Sequence, residues 1–375
     1  MWVVLLILGL LMFIGLVVVH EFGHFLAARR GGVEVEEFGV GFPPRVWGKK
    51  TKGGFIFSLN WLPLGGFVKL KGEHDSDTEK GSYGAAKTSV KVKIMLAGVG
   101  MNLLAAFILL TILAWAGMPQ LINNQFTVKS DAHISRNEVL VASIEKNTPA
   151  AKAGLKARDH LVSITSANGV TKNITSADIL PSVTKSFGGQ NVTITITRNG
   201  QTMNTHTTLL TTQAVNEAQK QGKPVGYLGI APGEYSLVRS TWSAPIVALG
   251  VIKQFTAMTF QGLGTALNAL VHGQGHKASE QVSGPVGIVM ILKDSSLLGI
   301  QFVIMIIAII SLTLAIMNVL PIPALDGGRL FVTIAARLRG KPISQEIEER
   351  IYGYGFAALM ILVILVTFVD VKRFF

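Results

Sequence analysis

The sequence predicts a polytopic α-helical membrane protein with a small, polar, mostly β domain inserted between its second and third spans. Three observations lead there. Hydrophobic residues make up 49% of the 375-residue chain, the mean hydropathy is +0.46, and charged residues are only 15%, well under the roughly 25% of soluble domains. Several apolar runs reach the roughly 20 residues that a helix needs to cross a bilayer. Between two of them, residues 123–235 are rich in Thr, Asn, Gln and Ser and cannot be membrane-embedded. The net charge is +12, but Lys and Arg flank the apolar runs instead of forming one aromatic-laced patch. A membrane surface explains that basicity better than nucleic acid does. The chain has no cysteine, which excludes disulfides and thiolate metal sites, so any metal must be held by His, Asp or Glu.

Four spans are expected. The first covers residues 1–28 and lacks the basic leading region of a signal peptide. The second covers 94–117, the third 297–328 with its apolar run ending at Leu320, and the fourth lies within 351–375. The loop 29–93 carries twelve Lys and Arg residues from Arg29 to Lys93, and the loop 329–350 carries Arg329, Arg337, Arg339, Lys341 and Arg350. Both should be cytoplasmic, which leaves the middle domain on the opposite side. Residues 236–296 read as amphipathic linker helices at the membrane surface, because Arg239, Lys253 and Gln254 interrupt a mildly apolar pattern. Within the middle domain, "VLVASI", "DHLVSIT" and "NVTITITRNGQT" read as strands, the last with an Asn199–Gly200 turn. "NTPAAKAGL" reads as a short helix after Asn147, with Pro149 in its first turn and a stop at Gly154.

The chemistry starts in the first span, at "VVVHEFGHFLAARR". His20 and His24 stand at i and i+4, one face of a helix, about 5–6 Å apart at Cβ, and can share one zinc ion. Glu21 between them can act as general base toward a metal-activated water that attacks a peptide bond. Ionisable residues inside a span are costly, so three at helical spacing point to a site rather than to packing. A hydrolytic zinc takes a third protein ligand. Glu34, Glu36 and Glu37 follow closely but lie in a polar stretch. Asp326 in "NVLPIPALDGGRL" is the better candidate. Pro321 and Pro323 break the helix there and let irregular backbone line a cavity, and Gly327 and Gly328 permit close backbone approach.

"HEFGH" in the first span and "NVLPIPALDGG" in a later one resemble the site-2 protease family of intramembrane zinc metalloproteases. "FGVGFPPRVW", "FSLNWLPLGGFVKLKGE", "LAGVGMNLLAAF" and "VSGPVGI" also resemble family segments and stand in family order. The arrangement is similar to the bacterial regulator-of-sigma-E proteases, with one extracytoplasmic domain where some relatives have two. A departure is "AGVGMN", where relatives often have a proline. The resemblance implies His20, His24 and Asp326 as zinc ligands, Glu21 as catalytic base, and Asn318, Pro321 and Pro323 as a segment holding substrate near the metal. Asn102 matches a feature of the second core span. The loop 29–93 resembles a membrane-associated β-hairpin, in which Gly65, Gly66 and Phe67 would offer a strand edge to an unwound substrate. The middle domain resembles a PDZ domain, an α+β fold, in which Gly226, Tyr227, Leu228, Gly229 and Ile230 match the loop that takes a peptide C-terminus; the alternative use is to filter substrates by bulk.

The implied activity is cleavage of single-span membrane proteins in or near the bilayer of the bacterial inner membrane, after a first cut removes their outer domain. Anti-sigma factors and remnant signal peptides are substrates of that class. Two other readings stand beside it. A different membrane zinc protease would supply a glutamate as third ligand, and a membrane-anchored PDZ adaptor with a structural metal would not need Glu21.

Overall fold

The computed structural model describes residues 2–198, 200–222, 225–340 and 343–375. Asn199 of the expected turn and Lys341 of the expected basic loop lie outside the described residues. In chain order the elements are α1 (Trp2–Arg30), β1 (Val35–Lys50), β2 (Ile56–Leu70), α2 (Thr88–Ala116), β3 (Met118–Pro119), β4 (His133–Ile144), α3 (Pro149–Lys152), β5 (His160–Ser166), β6 (Thr171–Asn173), α4 (Leu180–Ser186), β7 (Asn191–Arg198), β8 (Gln201–Thr208), α5 (Thr212–Lys220), β9 (Ile230–Arg239), α6 (Ala244–Val271), α7 (Gly275–Glu280), α8 (Pro285–Leu298), α9 (Ile300–Val319), α10 (Asp326–Leu338) and α11 (Gln345–Phe374). They fall into two compact units. One comprises residues 1–116, 126–128 and 241–375; the other comprises 117–125 and 129–240.

In the first unit, α1, α2 and α9 pack around a core that includes Leu16, Leu292, Val303 and Ile307. Small residues let these helices approach closely, as they must where lipid supplies no hydrophobic drive. A Cβ on Gly23 of α1 would lie 2.5 Å from the Ala97 carbonyl oxygen of α2, so the two backbones touch just beside His24. Arg29 and Arg30 end α1, where cations suit both the helix C-terminus and the headgroup region.

Among the described residues, five helices are long and apolar enough to cross a membrane: α1, α2, α6, α9 and α11. Four were expected. The addition is α6, one unbroken helix of 28 residues. The residues expected to interrupt it are accommodated at its surface: Lys253 is exposed, and the Gln254 side-chain oxygen accepts the Phe126 backbone N–H at 2.7 Å. The third span also differs in detail. Its helix ends at Val319, residues 320–325 are irregular with Ala324 at φ +81°, and Asp326 opens a new helix. The prolines do break the chain there, as expected.

The expected hairpin is more elaborate. Both long strands fold back on themselves, at the bends near Gly41–Pro44 and Asn60–Gly65. Residues 35–40 pair antiparallel with 66–70 on one side and run parallel to 56–59 on the other, and 56–60 pair antiparallel with 45–50. The result is a four-stranded sheet whose outer strands are 45–50 and 66–70. Glu37 sits inside it, accepting Ser58 Oγ at 2.5 Å and pairing with Arg45 at 2.5 Å. Glu36 pairs with Lys69 at 2.8 Å and Glu34 with Lys71 at 3.5 Å, so all three glutamates are engaged elsewhere than with the histidines.

The second unit is a seven-stranded sheet in the order β3-β9-β4-β5-β7-β8, with β6 paired to β5. Val139, Val141, Leu161, Ile164, Ile194 and Ile196 alternate inward from its strands and pack under α3 and α4. The short helix begins at Pro149 with Thr148, not Asn147, at its N-cap position, and Gly154 at φ +70° follows its end. Arg198 grips the buried Asp159 carboxylate with two bonds of 2.6 Å, which closes the turn before β5.

Candidate metal centre

The helix α1 places His20 and His24 one turn apart on the side that faces α2. Both are buried, with rings 4.8 Å apart edge to face. Two things make room for them. The Gly98 position on α2 is filled by the rings themselves, since a Cβ there would lie 2.5 Å from His24 Nε2 and 2.7 Å from His20 Nε2. The break after α9 brings the first residue of α10 back against α1. That return needs glycines: a Cβ on Gly327 would lie 2.3 Å from the Val319 carbonyl oxygen, and one on Gly328 2.1 Å from that of Ile322.

The outcome is a triangle of potential ligand atoms. His20 Nε2 and Asp326 Oδ2 are 3.0 Å apart, His24 Nε2 and Asp326 Oδ2 3.1 Å, and the two Nε2 atoms 3.1 Å. Among the described residues this is the cluster of His and carboxylate groups able to hold a metal ion. Ligands at about 2.0–2.1 Å in tetrahedral array around zinc stand about 3.4 Å from one another, so the triangle fits after a shift of a few tenths of an ångström. The outer partners fit as well. His24 Nδ1–H donates to the Ile94 carbonyl at 2.8 Å, which leaves Nε2 with its lone pair free for a metal. The Asn102 carboxamide lies 3.2 Å from His20 Nδ1, and its buried Oδ1 has no partner among the described residues. A His20 that binds metal through Nε2 carries its proton on Nδ1. Turning the amide over then gives that proton Oδ1 as its acceptor.

Glu21 lies beside the triangle, against strand 66–70. A Cβ on Gly66 would come within 3.2 Å of Glu21 Cγ, and the Val68 backbone N–H approaches the carboxylate. On the inner side this strand pairs with residues 35–40; its outer edge has no strand partner among the described residues. Gly65 (φ +124°) is covered by the Phe42 ring and Phe67 packs over Gly39. Asn318 is half-buried in the last turn of α9, Pro321 is exposed, and Pro323 packs against Gly355 of α11. Sequence reasoning missed Gly98 and the Ile94 carbonyl as parts of the site. Neither residue type announces itself in an apolar run.

In the second unit, the segment Gly226–Ile230 leads into β9, whose first residue is Ile230. The carbonyls of Tyr227, Leu228 and Gly229 accept the N–H groups of Leu210, Ala150 and Glu145, which fixes its path. With α4 and α5 it borders a groove of about 290 Å³.

Membrane helices that bring an H-E-x-x-H face against a distant aspartate define a metalloprotease class. The chain belongs to peptidase family M50, whose model matches residues 8–362, and it is a zinc-dependent metalloprotease. It is 30% identical to a zinc-metalloprotease relative from Clostridium acetobutylicum, over 97% of this chain and 96% of that one. It is 28% identical to the regulator of sigma-W protease RasP of Bacillus subtilis, over 96% of each chain. It is 26% identical to the probable protease eep of Enterococcus faecalis, over 96% of this chain and 97% of the relative.

Proposed function

We propose that the protein is an intramembrane endopeptidase that cuts single-span membrane proteins, with zinc held by His20, His24 and Asp326 and with Glu21 as general base. The observation that carries this reading is the triangle of three ligand atoms 3.0–3.1 Å apart, contributed by residues three hundred positions apart in sequence. Bound zinc supplies Lewis acidity toward a water and a peptide carbonyl. Glu21 takes a proton from the attacking water as its oxygen bonds to the carbonyl carbon. The same carboxyl then returns that proton to the amide nitrogen as the C–N bond breaks, so protons balance over the cycle. Asn102 and the Ile94 carbonyl hold the two imidazoles in the tautomer that leaves each Nε2 free.

The substrate has to unwind, because a helix in lipid has no free backbone groups to offer. The outer edge of strand 66–70 supports a role as its docking edge, since main-chain pairing there would lead a peptide past Glu21. Asn318, Pro321 and Pro323 would border the same path. The name of the relative RasP concerns a sigma-factor regulator; a bacterial anti-sigma factor or a remnant signal peptide, trimmed by a first protease, is the substrate class we infer. We assign the loop Gly226–Ile230 to capture of a peptide C-terminus in its groove, as in a PDZ domain.

The active site would face the cytoplasm, because Arg29 and Arg30 end α1 and Arg337 and Arg339 end α10. The second unit then lies outside. Helix α6 would lie obliquely at the outer surface rather than cross. Before it, the Thr241 carbonyl accepts Trp115 Nε1–H from the C-terminal end of α2 at 2.7 Å; after it, the Ser279 carbonyl accepts Arg373 from the C-terminal end of α11 at 2.9 Å. Both spans end on the same side in this topology. A crossing α6 would also require α8 to return, and its 14 residues fall short of the roughly 20 needed.

The test is cleavage of a single-span model substrate by purified protein in lipid vesicles, with the cut site mapped by mass spectrometry. Cleavage within the span, abolished by a zinc chelator and restored by added zinc, is expected. Cleavage only in soluble loops would contradict the intramembrane reading.

A further inference from the structure

A second polar cluster lies away from the metal centre, in the segment between β2 and α2. Asp75 is buried, and its Oδ1 receives both Lys91 Nζ of α2 at 2.5 Å and Arg337 Nη2 of α10 at 2.9 Å. Lys91 is fully buried. The Asp75 backbone N–H donates to Glu348 Oε2 of α11 at 2.9 Å. Two residues earlier, Glu73 accepts the Leu70 N–H at the end of β2 through Oε1, and pairs through Oε2 with Arg329 of α10 at 3.2 Å. The Arg329 guanidinium lies over the Tyr352 ring of α11, and Lys91 over Tyr83. Burial pushes the Tyr83 phenol up to about 12, so that it stays neutral among these charges. Two residues, Glu73 and Asp75, therefore join strand 66–70, α2, α10 and α11.

The catalytic reading makes no use of this cluster, yet its geometry bears on Asp326. The two histidines are fixed by one continuous helix. Asp326 follows six irregular residues and is the first of a new helix, which meets α9 at its last residue, Val319, through Gly327. On its polar side α10 is tied to the rest of the unit by Arg329, one turn on from Asp326, by Thr333, which bonds to Tyr83, and by Arg337, near the helix end. The two arginines bind the segment 73–75.

We propose that Glu73 and Asp75 are positioning residues, which fix Asp326 over His20 and His24 by gripping α10 through Arg329 and Arg337. The inference rests on the reading of Asp326 as a zinc ligand. Because the same segment closes β2, it also keeps the docking edge and the third ligand in one frame.

The test uses the full chain in nanodiscs. Zinc affinity is measured by competition with a chromophoric chelator, kcat and KM on a single-span substrate, and thermal unfolding on the zinc-free protein. The variants are Arg329→Met, Arg337→Met, the two combined, Arg337→Lys, and Asp326→Ala as reference. The double variant is expected to lose zinc affinity by about tenfold or more, in the range for outer partners of metal ligands. Its kcat should fall while KM stays within about twofold, and Arg337→Lys should keep most of the affinity. Zinc binding by the double variant as tight as in the wild type, with Asp326→Ala impaired, overturns the inference but not the metal reading, even if unfolding moves. Undiminished zinc binding by Asp326→Ala instead overturns the metal reading, and the inference with it. If the double variant does not assemble, the two single Met variants decide by the same criterion.

Discussion

At the scale of single residues, the site depends as much on what is missing as on what is present. Gly98 has no side chain, and the two imidazoles occupy the space. Gly98→Ala should therefore push the rings apart, with about 1–3 kcal/mol of overpacking. Zinc content and cleavage should both fall sharply while α2 stays helical by circular dichroism; a fully zinc-loaded Gly98→Ala enzyme would contradict the packing. His20, Glu21 and His24 are legible in sequence because helical geometry alone puts i and i+4 on one face. Gly98 and the Ile94 carbonyl are not legible, because their roles arise from a contact between helices some seventy residues apart. In sequence Lys91 reads as one more cation of a basic loop; its burial depends on Asp75, sixteen positions earlier, which no local pattern marks.

At the scale of elements, two features of the chain shape the site. The Pro–Gly break between α9 and α10 was legible, since Pro321, Pro323, Gly327 and Gly328 can be read directly as an interruption. The four-stranded fold of residues 35–70 was not. Its two long strands each read as one run, and the bends that let 35–40 pair on both sides are a matter of register. The placement of strand 66–70 against α1 gives a prediction. Gly66→Val should displace the strand from Glu21 and lower cleavage at least about tenfold, a change of ~1.4 kcal/mol in transition-state stabilisation. Zinc content should be unchanged. Equal cleavage rates for the variant and the wild type would remove the strand from the substrate path.

At the scale of the whole molecule, the positive flanks of α1 and α10 are the basis of the topology proposed above, whereas the number of long helices was not legible in the sequence. The mild hydropathy of α6 leaves its character open in the sequence; we propose a surface helix from the contacts at its two flanks, and Ile252 and Phe255 in its first half pack against the cluster of Ala106 in α2 and Leu312 and Ile316 in α9. The absence of native cysteine makes this easy to test. Trp242→Cys and Gly273→Cys, on either side of α6, should both react with a membrane-impermeant maleimide added from outside to cells or spheroplasts. Reaction of Gly273→Cys only after permeabilisation would make α6 a full span.

The central claim is that Glu21 acts on a zinc held by its neighbours. It is tested most directly by Glu21→Gln, purified in parallel with the wild type, with zinc stoichiometry and cleavage of a single-span substrate measured on the same samples. Retained zinc is expected, with cleavage reduced by about 10²–10⁴-fold, the scale of a lost general base. Cleavage at the wild-type rate by zinc-loaded Glu21→Gln would contradict the claim.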